Sequence, residues 1–527
     1  MKYCVLLFLA VVISSCAPSQ KPRYVFFLHN MYLELYPKGT EHPEYGRVEY
    51  DEILKAFRDS GFTVFSEIRP KNTPDLYATK IAAQIDSLIA TGVDPSNITV
   101  VGTSRGGYLT KMVSSTLRNP NLNFVLIGCC TPDDDKDFPD IYLYGNVLSI
   151  YESSDSATCS CSAQKKRTVP HYKEIVLHTG VRHGYLYRAL PAWINPSIAW
   201  AKGDYSGATC SDPLVMQLDS LLQSDSVRPF NGIALVSQAG RTLYVRCSGY
   251  ADTAKRNSLQ LNNQFVIGSV SKQLTAVLVL RELDKGLLNL TDPISKYLPN
   301  LPSWSDTVSI HHLLTHTHGI VALDSPLIFK PGDRFDYSQI GYVLLGQIVE
   351  KTSGKSFADL SAELFASSGM KNTFHPSIHK YDNLVAGMAI DNKGKYYCNP
   401  LEDVSDYYTA AGRYISTVSD LATWTNLLHS GKLLSPHSYE LMMTKYAVRP
   451  HPLLGPTDYG YGITIVNSKE QLGQLGFAPG FVSLCYYLPP SKTTVIVLIN
   501  LETYPDDHNA SFYYPLEIKK AVAKFIK

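Results

Sequence analysis

From Arg23 onward, short apolar runs alternate with amphipathic segments, and this alternation most narrows the folds open to the first part of the chain. "YVFFLH" (Tyr24 to His29) reads as a buried strand, "EILKAFRDSG" as a helix closed by Gly61, and "FTVFSEI" as the next strand. A helix in "YATKIAAQIDSLIATG", closed by Gly92, leads into a strand in "NITVVGTS". Further strands are expected in "FVLIGCC", "VLSIYES" and "KEIVLHTG", and "YLYRALPAWINPSIAWAKG" supplies the last helical segment. Strands separated by helices imply a mostly parallel sheet with helices on both faces. The unit spans 23–203, and the small, polar segment 204–212 reads as a linker. The remainder, 213–527, is patterned differently. It opens with a helix over Leu214 to Leu222, and two adjacent strands follow ("GIALVSQAG" and "RTLYVRCSGY"). A strongly apolar helix begins at Ser269, and the segment ends with strands "FVSLCYYLPP" and "TTVIVLINL" and a helix from Pro515. That is an α+β layout. A length of 527 residues exceeds what one core usually serves, so two or three domains are expected, and the patterning divides the chain into two.

Charge excludes one class of partner. Lys+Arg (48) and Asp+Glu (47) nearly cancel, which leaves no surplus to hold a polyanion, so nucleic acid is not an expected partner. The N-terminus has the form of a targeting segment: Lys2, then an apolar run from Val5 to Ile13, then small residues before Cys16. The run is too short to span a bilayer. It resembles a bacterial lipoprotein signal, which implies removal of 1–15, lipidation of Cys16, a tether over 16–22 and a membrane-anchored protein of the cell envelope; an ordinary cleaved signal is the alternative, and the lack of an acidic run just after Cys16 points to a site facing the periplasm. The other cysteines show no paired spacing for zinc, and a disulfide among them is compatible with that compartment although its connectivity is not readable. The charge run "PDDDKD" (Pro132 to Asp137) reads as a solvated loop, not a calcium loop.

Two stretches carry nucleophile signals. In "ITVVGTSRGGYLTKMV" an apolar strand runs through Gly102-Thr103-Ser104-Arg105-Gly106 into an amphipathic helix, the context that gives G-x-S-x-G its meaning. The glycines allow a sharp turn that projects Ser104, and the helix N-terminus offers N–H groups to a developing oxyanion. A serine also needs a base and a group to orient it. Asp155 follows one strand and His183 lies between another strand and the last helix, with Glu152 and His178 as rival assignments. In this order the segment resembles an α/β-hydrolase, which implies a Ser104–His183–Asp155 triad and substrate contacts at Arg105 and at Asn30 or Met31, whose backbone N–H would be the second oxyanion donor.

The second stretch is "GSVSKQLTAVLVLRELDKG", apolar nearly all round from Leu274 to Leu283 and so expected to be buried. Lys272 lies three residues after Ser269, on the same helical face; burial and the positive helix end both favour its neutral, basic form. Ser271 points away. "LLTHTHGI" (Leu313 to Ile320), "PGDRFDYSQIGYVLLGQIVEKTSGKSF" (Pro331 to Phe357) and "QLGFAPGFVS" (Gln474 to Ser483) follow in order. From about Leu214 to Ile526 the chain thus resembles the class-C branch of the β-lactamase and penicillin-binding-protein superfamily. The resemblance implies a transpeptidase-like fold, Ser269 as nucleophile, Lys272 and Tyr337 as proton carriers, and Ser269 and Phe477 N–H groups as the oxyanion hole. Two places depart from the family pattern. Gln339 stands at the third place of Y-x-N, where its amide reaches one methylene further. Gln474-Leu475-Gly476 replaces a motif that begins with Lys or His, so a neutral amide stands where a cation would hold a carboxylate. His311, His312, His316 and His318 lack a partner acid or H-E-x-x-H spacing, and no metal is expected.

The expectation is a serine hydrolase with two acyl-transfer sites, acting without cofactor on small-molecule or peptide-like esters or amides. The alternatives are one active domain beside a degenerate binding module, or a non-catalytic lipoprotein that binds cell-wall peptides or glycans.

Overall fold

The computed structural model describes residues 21–71, 74–207, 212–223, 228–252, 256–378, 382–398, 406–505 and 507–526. The signal segment 1–15, Cys16 and most of the tether lie outside the described residues, as does 208–211 of the linker. No described helix is long and apolar enough to cross a membrane.

The first part is built on six strands: β1 (Arg23–Leu28), β2 (Phe62–Phe65), β3 (Ile98–Thr103), β4 (Asn123–Ile127), β5 (Asn146–Glu152) and β6 (Tyr172–Leu177). They lie in the order β2-β1-β3-β4-β5-β6, all parallel. Helices α1 (Tyr50–Asp59), α2 (Pro74–Ala90), α3 (Arg105–Leu117) and α4 (Pro191–Ala201) cover both faces. Alternation along β1 sorts them: Val25 and Phe27 pack with Ile53, Phe57 and Trp193 from α1 and α4, whereas Phe26 and Leu28 pack with Ile81, Leu109 and Val113 from α2 and α3. The chain leaves β1 toward one edge and returns to β3 on its other side. A crevice therefore opens beyond the carboxyl ends of β1 and β3, the usual ligand position in open parallel sheets.

The second part is built on an antiparallel sheet. Its strands are β7 (Gly232–Gln238), β8 (Arg241–Ser248), β9 (Ala447–His451), β10 (Gly455–Tyr459), β11 (Thr464–Val466), β12 (Gln471–Ala478), β13 (Phe481–Leu488) and β14 (Thr493–Ile499). Their order is β8-β7-β14-β13-β12-β11-β10-β9. The first and last helices of this part, α5 (Pro213–Leu222) and α9 (Tyr513–Phe525), share one face, where Leu218, Ile518 and Val522 meet Val236, Val495 and Val497. Helices α6 (Ser271–Asp284), α7 (Gln339–Ser353) and α8 (Val418–His429) lie on the other face. There Leu274, Val277, Leu345 and Trp424 join Ile233, Ile496 and Leu498 in one core.

The two parts touch through hydrogen bonds as well as apolar surface. Glu49 accepts from the backbone and hydroxyl of Thr242, and Cys247 N donates to Thr179 O at 2.8 Å.

Two sequence expectations are corrected here. Pro132 to Asp137 is not simply solvated: Asp134 is buried and paired with the equally buried Lys111 at 2.6 Å. His178, read as a sheet histidine, falls one residue beyond β6, where its Nδ1 meets Ser153 Oγ at 2.9 Å. Cys130 and Cys161 form a disulfide.

Candidate active sites

The first centre is made by a turn that tolerates no extra atoms. Ser104 has φ 51° and ψ −117°, a strained conformation for a residue with a Cβ. It connects β3 directly to α3, while its N–H donates to Ile127 O at 2.8 Å. A Cβ on Gly102 would lie 2.2 Å from Gly106 O, and one on Gly106 would lie 1.9 Å from Leu28 O. Backbone therefore presses on backbone at both motif glycines. We expect Gly106→Ala to lower stability by about 3 kcal/mol, the scale of a strong overpacking defect, with a matching fall in unfolding midpoint. An unchanged midpoint would contradict this packing.

Ser104 Oγ lies 3.0 Å from His183 Nε2, and His183 Nδ1 lies 2.6 Å from Asp155 Oδ2. Asp155 also accepts from Thr158 Oγ1 at 2.7 Å and from Ala157 N at 3.0 Å. Burial alone would raise the carboxyl's pKa, but the hydrogen bond and charge of His183, with those other donors, outweigh it and bring it below the usual range. An ionised Asp155 fixes the proton on Nδ1 and leaves the Nε2 lone pair facing the serine hydroxyl. The rivals are engaged elsewhere: Glu152 accepts from Thr179 N at 2.9 Å and Thr179 Oγ1 at 2.7 Å, which anchors the loop that carries His183. Asn30 is buried just past β1, and neither atom of its side-chain amide has a protein partner among the described residues. Arg105 is one-third exposed and lies 3.5 Å from Glu34, which also pairs with the buried Arg69 at 2.7 Å.

In the second centre Ser269 sits in a single 3-10 turn, Gly268–Val270, that runs into α6. Lys272 follows one turn later and is fully buried, with Nζ 3.2 Å from Ser269 Oγ. Nζ also donates to Gln339 Oε1 and to Ala411 O, each at 2.6 Å. None of these acceptors is a carboxylate. Burial accordingly pushes the amine below the usual lysine range, Tyr337 opposes the shift, and nearby Arg449 adds to it. Tyr337 lies in the loop before α7, its ring centroid 4.8 Å from Lys272 Nζ. Its hydroxyl faces Ser269 and Lys272 without a bond of ordinary geometry. Burial works against ionisation of that phenol, but the Lys272 and Arg449 charges prevail and lower its pKa. The longer Gln339 side chain thus keeps the amide contact to the lysine.

Strand β12 closes the site. A Cβ on Gly268 would lie 2.4 Å from Phe477 N, and one on Gly476 would lie 2.2 Å from Ile267 O and 3.1 Å from Ser269 N. These contacts bring the backbone N–H groups of Ser269 and Phe477 to the same glycine-lined seam.

Gln474 behaves differently from the sequence expectation. Its side chain is fully buried; Oε1 accepts from Thr464 Oγ1 at 3.0 Å and from an Arg449 guanidinium nitrogen at 3.2 Å, and Nε2 donates to Tyr459 at 3.3 Å. The amide therefore faces neighbours, not the cleft, and the centre does hold a cation. The Arg449 guanidinium, from β9, stands 4.3 Å from the Tyr337 ring centroid. No motif marked Arg449, because it reaches the site only through sheet pairing.

The four histidines have protein partners. His316 Nδ1 accepts from Ser338 N at 3.2 Å, which leaves Nε2 to donate to Tyr459 Oη at 3.2 Å. His311 meets Tyr461 Oη at 2.8 Å, His312 accepts from Ser309 N at 3.1 Å, and His318 accepts from Ile320 N at 2.9 Å.

With this geometry established, comparison with known proteins decides the family. The Beta-lactamase family profile matches residues 225–519. The chain belongs to the Beta-lactamase family. It is 28% identical over 314 residues to penicillin-binding protein 4* of Bacillus subtilis, covering 52% of this chain and 68% of that protein. It is 25% identical over 312 residues to a teichoic acid D-alanine hydrolase of Staphylococcus aureus, covering 55% and 75%. A D-amino acid amidase of Ochrobactrum anthropi SV3, solved with D-phenylalanine, superposes with a TM-score of 0.52 at 20% identity over 59% of this chain and 98% of that one, a likeness of fold. The β-lactamase-like part therefore has a transpeptidase-type fold, and the six-stranded parallel sheet precedes the matched residues.

Proposed function

We propose that the chain is a serine hydrolase of the cell envelope with two acyl-transfer centres, one in each of the units 23–203 and 213–527. The observation that carries the reading is the buried Lys272 amine 3.2 Å from Ser269 Oγ. At that centre Ser269 Oγ attacks a carboxylic ester or amide carbonyl and gives its proton to neutral Lys272. The Ser269 and Phe477 N–H groups stabilise the oxyanion. Tyr337 delivers a proton to the leaving oxygen or nitrogen as its bond to the acyl carbon breaks and takes up the proton held by Lys272, and water then cleaves the acyl-serine to the free acid and Ser269. A relative named as a D-alanine hydrolase supports acyl transfer to water. At the other centre Ser104, His183 and Asp155 act as nucleophile, base and orienting acid, with Asn30 and Arg105 at the substrate. Neither centre calls for a cofactor.

Fluorophosphonate labelling followed by peptide mapping tests the reading. Adducts are expected on both Ser104 and Ser269, and each should vanish only in its own Ser→Ala variant. Absence of both adducts would sink it.

The depressed pKa of Lys272 gives a signed pH dependence. A base that loses its proton more readily is competent at lower pH, so Ser269 acylation should rise with pH and level off below the ordinary lysine range. A rate still climbing through that range would contradict a depressed amine. For the anchor, fatty-acid labelling in cells should mark the wild-type chain and leave Cys16→Ala unlabelled and released from membranes. Equal membrane retention of the variant would remove the anchor from the account.

A further inference from the structure

Beside the Ser104 centre lies a cluster of aromatic rings that no catalytic step uses. Tyr187, a short way past His183, is buried and forms its floor. Tyr32, His42 and Tyr45 stand round it with ring centroids 5.6, 5.6 and 5.3 Å away, and each is partly exposed. His42 stacks on Tyr45 at 4.6 Å and 13°, and the exposed Tyr36 lies 4.6 Å from Tyr32. The cluster joins the catalytic groups at two points. Tyr32 follows Met31, a candidate oxyanion donor. The Tyr45 ring packs on Gly184, the residue after His183, where a Cβ would lie 2.8 Å from Tyr45 Cδ1.

The rim of this cluster is polar. In the hairpin of Glu41–His42 and Gly46–Arg47, His42 Nδ1 accepts from Glu44 N at 3.1 Å and from Tyr45 N at 3.3 Å. The ring proton therefore sits on Nε2, which is a donor. Burial holds this imidazole below the usual histidine range against the pull of the Glu44 carboxylate, and His183 adds to the shift. At the edge Arg182 pairs with Glu44 at 2.8 Å, their side chains 38% and 25% exposed. A wholly aromatic ligand would cover the rings but strip water from these groups and return no hydrogen bond. A pyranose matches both halves: a flat face of C–H groups for the rings, and hydroxyls for the imidazole, guanidinium and carboxylate. Tyrosine and histidine themselves combine an apolar body with a polar tip.

Position says which part of a substrate the rings receive. His183 is the group that protonates the leaving oxygen, and Tyr45 and His42 flank it. We propose that the Ser104 centre is an esterase for acylated sugars, whose pyranose lies across Tyr32, His42 and Tyr45 as the leaving alcohol. This deepens, and rests on, the assignment of the Ser104–His183–Asp155 triad. Ser104 Oγ bonds to the acyl carbon, the bond from that carbon to the sugar oxygen breaks, and His183 passes the serine proton to that oxygen. Water then releases the acid and restores Ser104.

The test uses the full chain carrying Ser269→Ala, so that only the Ser104 centre turns over. Three acetates of primary alcohols are compared: methyl 6-O-acetyl-β-D-glucopyranoside, cyclohexylmethyl acetate and benzyl acetate. The sugar ester should show kcat/KM about tenfold or more above either of the others, the scale of one or two net hydrogen bonds. Tyr32→Leu should cut the sugar-to-cyclohexyl ratio by about three- to tenfold, the scale of a lost ring contact, and Tyr32→Phe should keep most of it. A ratio does not depend on the fraction of the variant that folds. Methyl β-D-glucopyranoside should slow fluorophosphonate labelling of Ser104 in the parent and do so less in Tyr32→Leu, a readout independent of turnover. Preference for benzyl or cyclohexylmethyl acetate overturns the sugar, and equal rates on all three, or a ratio untouched by Tyr32→Leu, overturns the rings as its receptor. In each of these cases labelling of Ser104 leaves the triad standing. Failure of Ser104 to label in the parent overturns both.

Discussion

Lys272→Met is expected to slow acylation of Ser269 by about 10²- to 10⁴-fold, the usual contribution of a positioned general base, while leaving the fold in place. Methionine has nearly the length of lysine and no polar head to desolvate, so the cost of burying an amine disappears together with the base. Stability should hold or rise as activity falls. The groups left behind are Gln339 Oε1 and Ala411 O, both neutral acceptors, which limits the penalty of losing their 2.6 Å bonds. Stopped-flow acylation with a chromogenic ester in the Ser104→Ala background, beside thermal unfolding, separates the two effects. A rate within about tenfold of the parent would remove the lysine from the role of base. A collapse of stability without a change in the acylation rate of the folded fraction would make it a packing residue.

The second large effect concerns the other centre. Asp155→Asn, made in the Ser269→Ala background, should cost about 10⁴-fold in kcat, the scale known for the equivalent change in a serine protease triad. Asp155 Oδ2 receives His183 Nδ1 at 2.6 Å. An amide that presents its NH₂ to that nitrogen would force the proton onto Nε2, where it faces Ser104 at 3.0 Å and blocks proton uptake. The shape of the site changes little, so the unfolding midpoint should stay close to the parent's. Glu152→Gln offers a contrast. Glu152 anchors Thr179 and shares no hydrogen bond with His183, so its loss should loosen the histidine loop, with a smaller loss of activity and a lower unfolding midpoint. If Glu152→Gln proved as damaging to kcat as Asp155→Asn, the acid of the triad would have been misassigned.

Much of this was readable before any coordinates. The strand–turn–helix around Ser104 is local, because Gly102, Ser104 and Gly106 are constrained by backbone clearances within five residues and by the neighbouring β1. Lys272 was equally legible: helical periodicity alone sets it beside Ser269, and the apolar residues around it predict burial. His183 and Asp155 were found through topology, since both follow strands of a parallel sheet and arrive at the same edge. What stayed hidden depends on long-range pairing without a local signature. Arg449 reaches Tyr337 because β9 is three strands from β12 in the sheet, and nothing in "VRPH" announces that approach. Gln474 was read as a missing cation when it is the bracket for one. Asp134 looked solvated within a run of charges because its partner, Lys111, is a helix away. The Cys130–Cys161 link was likewise invisible from spacing, since it joins the segment after β4 to a loop beyond β5.

Acid-quenched mass analysis during turnover of a slow ester bears most directly on the claim of serine acylation at two places. Mapped peptides should carry the acyl mass on Ser269 in the Ser104→Ala protein and on Ser104 in the Ser269→Ala protein, each accumulating before product release. Turnover without an acyl group on either serine, or with acylation that persists after both serines are replaced, would contradict it.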